Sequence, residues 1–228
     1  GWVDLAYVLA LVEAGTAPRE AGQSLLKALI AFGGTNVPEQ RIIDAVWPDL
    51  DGDGARKAYN IALHRLRSLL RHPEALQSEG GKLILCSSVC WVDLWEFDRA
   101  FAGGTAEQLE RALHLYRGEF LPDESEAAWA VAARERCRTR LTQCVERLGK
   151  ALEGEQRWQE AINVYRKGLD ADNLSESFYQ GLMRCCLYSD RKAEGLSAYR
   201  RMKQMLSVVL GIAPSRQSEE LHQMLVGG

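Results

Sequence analysis

Three stretches of this chain repeat one pattern, and that repetition limits the fold more than any other feature. QEAINVYR at residues 159–166 aligns with AEGLSAYR at 193–200, an offset of 34 residues. A third copy, ALHLYR at 112–117, begins 49 residues before Ala161. A step of 34 residues is the length of one helix–turn–helix hairpin in a stacked array. Each hairpin of such an array buries its apolar face only against its neighbours. The shared positions then have roles: the small residue at Ala161 or Gly195 lets two helices approach, and the tyrosine fills the gap between hairpins. The extra length between the first and second copies falls on a long helix, predicted over residues 127–152.

The N-terminal half reads differently. Leu25, Leu26, Leu29 and Ile30 recur at helical spacing, which predicts a helix over residues 24–32 stopped by Gly33-Gly34. Pro38 opens a second helix with Ile42, Ile43, Val46 and Trp47 on its apolar face, ended by Pro48. Residues 49–54 form a turn in which Asp51 or Asp53 caps a third helix. That third helix, over 53–72, places Ala55, Tyr59, Ala62, Leu63, Leu66 and Leu70 on one stripe. Its opposite stripe carries Lys57, Asn60, His64, Arg67 and Arg71, with Arg65 on the shoulder. Five Lys/Arg stand there against a single Asp, in a chain whose net charge is −3. Taken alone, the stripe suits a DNA major groove or an ordinary solvated surface. Beyond Pro73, residues 75–77 and 82–85 flank a Ser-Glu-Gly-Gly turn and predict a β-hairpin, with a short strand over 89–92. Three helices followed by a hairpin is the order of a winged helix-turn-helix, with Lys82 near the wing tip. Residues 3–13 read as helix, broken at 15–18.

Composition removes several other classes. A pI of 5.9 argues against a protein that coats nucleic acid, so any DNA contact must come from a local patch. No apolar run reaches the roughly 18 residues needed to cross a bilayer, and no secretory signal is visible, so the expected location is the cytoplasm. The six cysteines contain no C-x-x-C pair and predict reduced, packed thiols, not a metal site. Asp49, Asp51, Asp53 and Gly54 imitate the start of a calcium loop, but Asn60 stands where the closing glutamate is required. Gly80-Gly81-Lys82 has Leu76 in place of the upstream glycine of a phosphate-binding loop, and Leu83 in place of Ser/Thr. Asp123, Glu124 and Glu126 read as an acidic loop or helix start. No enzyme, cofactor or metal is expected.

With these residues in view, a family likeness emerges. DAVWPD at 44–49 and the helix ending HRLRSLL at 64–70 resemble the winged helix of the OmpR/PhoB type. The tandem order, WVDLWEF at 91–97 and the C-terminal AYRR, GIAPS and LHQ motifs resemble the bacterial transcriptional activator domain proteins, which include the Streptomyces antibiotic regulatory proteins. The likeness spans residues 24–226. It implies a mainly α chain: a winged helix-turn-helix with a small β-hairpin wing over 24–92, then an all-α tetratricopeptide-like domain over 93–228; residues 1–23, outside the likeness, read as a helical segment. It departs at the N-terminus, where that family begins with a small sheet.

The resemblance also implies a function: an activator that binds double-stranded DNA, recruits RNA polymerase and forms homo-oligomers through its helical-repeat domain. The rival reading is a protein-interaction scaffold whose winged helix leaves DNA alone. By resemblance Lys57, His64, Arg65 and Arg67 approach DNA, mostly at phosphates; Arg71 is a further DNA-binding candidate on the same stripe, and the Asn60 amide there, with a donor and an acceptor, suits an adenine edge. Two readings stand for three residues. Trp47 reaches a phosphate or packs beneath the turn. Arg65 contacts DNA or holds Glu39 or Asp44, and Lys82 reaches a groove or is solvated.

Overall fold

A pair of glycines fixes the first turn of the winged unit. In the computed structural model, which describes residues 3–4, 20–70, 72–122, 124 and 126–227, helix α1 spans Glu20–Ala31. Gly33 and Gly34 take positive φ (98° and 73°), and their amides bond back to Ile30 and Leu29, each at 2.9 Å. This double closure is the left-handed helix stop that glycine permits. Gly34 is also the floor for Trp95, since an added Cβ would stand 2.0 Å from the indole. The Leu85 amide then bonds the Gly34 carbonyl at 2.7 Å, so the stop also anchors the wing sheet.

Helix α2, Glu39–Val46, follows Pro38 and buries Ile42 and Ile43. Helix α3 spans Gly52–Leu70, and Asp51 caps it by accepting a 2.7 Å bond from the Gly54 amide. All six residues of the predicted apolar stripe of α3 are buried, in a core shared with Leu25, Leu26, Leu29 and Ile42. The hairpin is β3, Leu76–Glu79, with β4, Lys82–Leu85. A third strand, β2 (Val37–Pro38), lies antiparallel on the other edge of β4, with Val37 opposite Leu83.

Two expectations at the N-terminus need correction. Val3–Asp4 is not helical: it forms strand β1, parallel to β5 (Cys90–Trp91). The first helix also begins at Glu20, four residues before the apolar period announces it. Gly22 of that extra turn faces α3, where an added Cβ would make ordinary contact with the Ala62 carbonyl at 3.9 Å. The remainder of the predicted helix over 3–13, its break at 15–18, Arg71 and Asp123 lie outside the described residues.

The chain parts into two units. The first runs to Glu96 and takes in Glu119–Cys137; the second comprises Phe97–Gly118 and Arg138–Gly228. Two helices contribute residues to both: α4, Asp93–Gly103, and the 27-residue α6, Ala128–Gly154. In the first unit Trp129, Ala130 and Ala133 of α6 pack with Ala28 and Ala31 of α1. Lys27 pairs with Glu124 at 2.8 Å there.

The second unit holds the repeats, on α5 (Ala106–Leu115), α7 (Trp158–Ala171), α8 (Glu176–Tyr188), α9 (Lys192–Met205) and α10 (Arg216–Gly227). Ala112, Ala161 and Gly195 are buried, as the small positions require. Tyr165 sits between helices, and Tyr199 stacks on His222 at 3.9 Å while its hydroxyl donates to Glu219 at 2.6 Å. The first copy departs from the pattern, because Tyr116 is the extended residue that ends α5 and not a mid-helix residue. Among the described residues no helix is long and apolar enough to cross a membrane.

The cysteines give a direct check on this packing. Five are buried and Cys86 is not. Burial pushes the Cys90 and Cys144 thiols up to about 11, and that of Cys185 up to about 12. A hydrogen bond with Ser88 lowers the pKa of the Cys86 thiol, so it ionises more readily. The thiolate is the reactive form. Iodoacetamide at pH 8 is therefore expected to label Cys86 first, and the other five only on unfolding. Peptide mapping that finds Cys185 or Cys186 labelled as fast as Cys86 would contradict the burial of α8.

Candidate nucleic-acid interface

The outer face of α3 is built by what holds its inner and lateral faces. Inside, Tyr59, Leu63 and Leu66 fix the helix to the core. On the flank toward α2, Arg56 donates to Glu39 at 3.1 Å and to Gln40 at 3.0 Å, and lies 5.6 Å from the Tyr59 ring centre. On the wing side, the Arg67 Nε donates to the Leu76 carbonyl at 3.3 Å. The wing is tied a second and third time, by Ser78 donating to Glu39 at 2.7 Å and by the Glu39 amide bonding the Gly81 carbonyl at 2.9 Å. Helix α3, the preceding helix α2 and the hairpin are thereby held in one frame.

That frame leaves Lys57, Asn60, Ile61, His64 and Arg65 pointing outward and exposed. Among the described residues none of the three cationic or basic groups, Lys57, His64 and Arg65, has an acidic partner. Lys82 is exposed at the wing turn, opposite Glu79 and Pro38 in register. Trp47 is half-buried against the first-unit core, edge-on to Tyr59 with ring centres 6.4 Å apart. Packing beneath the turn is thus the contact it makes.

The alternative role for Arg65, holding Glu39 or Asp44, does not hold. Glu39 is taken by Arg56, and Asp44 accepts from Gln40 at 2.7 Å. Nine residues separate Arg56 from Arg65, about two and a half helical turns, so the two side chains leave opposite sides of α3. Arg56 was the missed residue. Charge counting marks it as cationic, but only the crossing of α2 over α3 shows which arginine faces the acid. Among the described residues no cluster of metal-ligating side chains forms, and Asp49, Asp51 and Asp53 are all exposed.

A winged helix presenting a cationic helix face, joined in one chain to stacked helical hairpins, is the architecture of a transcriptional regulator. Residues 92–226 match the model of the bacterial transcriptional activator domain, and the chain belongs to that family. A search of curated proteins found no match. Among solved structures the chain is similar to Mycobacterium tuberculosis EmbR, solved in complex with a low affinity phosphopeptide, with a TM-score of 0.68 and 24% identity. The likeness covers 93% of this chain and 60% of that one, and it shows the fold.

Proposed function

We propose that this chain is a sequence-specific DNA-binding activator that acts by occupying a promoter and recruiting RNA polymerase, without chemistry of its own. The winged helix over residues 24–92 places α3 in the major groove, with Lys57, His64, Arg65, Arg67 and Arg71 on phosphates and Asn60 on an adenine edge. Lys82 on the wing follows the adjoining backbone or minor groove. The helical domain over 93–228 supplies self-association and the contact with polymerase. Such a regulator works in the cytoplasm, where its promoter is. The observation that carries the reading is the outward face of α3: Lys57, His64 and Arg65 have no acidic partner among the described residues, while Arg56 is committed to α2.

A salt titration with duplex DNA tests it. Each phosphate neutralised by Lys or Arg adds about 0.9 to the negative slope of log affinity against log salt, so Lys57, Arg65, Arg67 and Arg71 together give a slope of about −3.6. No measurable duplex binding by the intact chain at low salt would sink the proposal and leave the scaffold reading.

A further inference from the structure

Between Arg56 and Ser68 the exposed positions of α3 are Arg56, Lys57, Asn60, Ile61, His64, Arg65, Arg67 and Ser68. Seven of these side chains end in polar or charged groups. Ile61 does not. It is 43% exposed and, among the described residues, belongs to neither the α3 core cluster nor the Trp129 cluster of the first unit. A lone exposed apolar residue is ordinary on a protein surface. This one stands next to Asn60, within one helical turn of Lys57, His64 and Arg65, at the centre of the cationic face. Leu69, the other exposed apolar residue of the helix, lies further round, next to buried Leu70.

We infer that Ile61 is a specificity residue that packs on the 5-methyl group of a thymine. The inference rests on the DNA-binding reading of the same helix. The major groove presents one apolar group, the thymine methyl, and a branched aliphatic side chain on a groove-facing helix is its partner. Phosphates line the walls of the groove and suit the flanking cations, whereas the base edges at its floor suit Asn60 and Ile61 together. With the Asn60 amide on an adenine, the neighbouring side chain meets the methyl of that A·T pair or of the adjoining one. The α3 face thus selects at least one thymine through Ile61, beside the adenine selected through Asn60.

The test uses the full chain and a duplex selected by it from a random pool, with each thymine replaced in turn by deoxyuridine, which removes only the methyl. One or two replacements are expected to weaken wild-type binding about fourfold, the worth of one buried methyl. Ile61→Ala is expected to bind the thymine and uracil duplexes equally, and Ile61→Val to fall between. Ile61 is exposed, so melting of the variants should match wild type. Binding that tolerates every uracil, or uracil sensitivity that persists in Ile61→Ala, overturns the inference while leaving DNA binding intact. Failure to select any duplex overturns both.

Discussion

Alanine at Gly181 is expected to destabilise the helical-repeat unit by about 3 kcal/mol, at the upper end of what overpacking costs. Tyr165 of α7 lies between two glycines, Gly149 on α6 and Gly181 on α8. An added Cβ would meet its ring at 2.4 Å from the first and 2.3 Å from the second. Carbon atoms in favourable contact sit about 3.5–4.0 Å apart, so the ring or a helix must move by more than 1 Å. The ring cannot simply swing away. Its hydroxyl donates to Glu153 at 2.5 Å, and Arg184 grips the same carboxylate through two bonds of 2.9 and 3.0 Å. Arg184 is one turn along α8 from Gly181, so the helix that would clash also holds the group that anchors the ring. Burial, and then the Glu153 carboxylate, raise the pKa of the phenol and keep it protonated, a donor.

Three further measurements follow from that geometry. Gly149→Ala should cost a similar amount. The double variant should cost less than the two together, because both report on one displaced ring. Tyr165→Val should recover part of the loss in Gly181→Ala. Chemical unfolding followed by circular dichroism reads all of these. A Gly181→Ala protein within about 0.5 kcal/mol of wild type, the range of neutral surface changes, would mean that α7 and α8 do not approach as described.

Tyr165 and the small positions Ala161 and Gly195 were legible because a repeat states its packing rule more than once, whereas Gly149 and Gly181, which flank the ring, stand outside the repeated motif. Helical periodicity did the same for α3, whose six apolar residues all became core. What escaped the sequence is pairing over distance and choice among like charges. Val3–Asp4 becomes a strand only because Cys90–Trp91 lies beside it, and two residues carry no period of their own. Val37–Pro38 likewise joins the wing sheet through β4. Nothing in the run of α6 marks the place, after Cys137, where its residues pass from one unit to the other. Arg56 and Arg65 are equivalent in composition, and the position of Glu39 separates their roles. The outward stripe was legible as a pattern of cations, and Ile61, which carries neither charge nor a hydrogen-bonding group, leaves no mark in such a pattern.

Converting both Lys57 and Arg65 to glutamate is expected to lower affinity for every duplex, on the order of a hundredfold at low salt, with the deficit shrinking as salt is added. Both residues are exposed and have no acidic partner among the described residues, so the change leaves the core untouched and acts through the field at the helix face. Alanine at the same two positions should reduce the salt slope by about 2, one unit for each lost phosphate contact. Asn60→Ala should behave differently: a loss of roughly 1–3 kcal/mol confined to one A·T pair, with the slope unchanged. Arg67→Ala is the informative intermediate. It should weaken binding to all sequences, as a phosphate contact does, and also loosen the wing, because its Nε bond to the Leu76 carbonyl joins α3 to β3. Arg67→Lys retains the charge and loses the guanidinium geometry, so it should restore the slope more fully than the affinity. Matched and mismatched sites titrated across salt separate these effects. If Asn60→Ala and the Lys57/Arg65 variants fall equally on both sites and share one slope, the division between residues that set register and a residue that reads sequence is wrong.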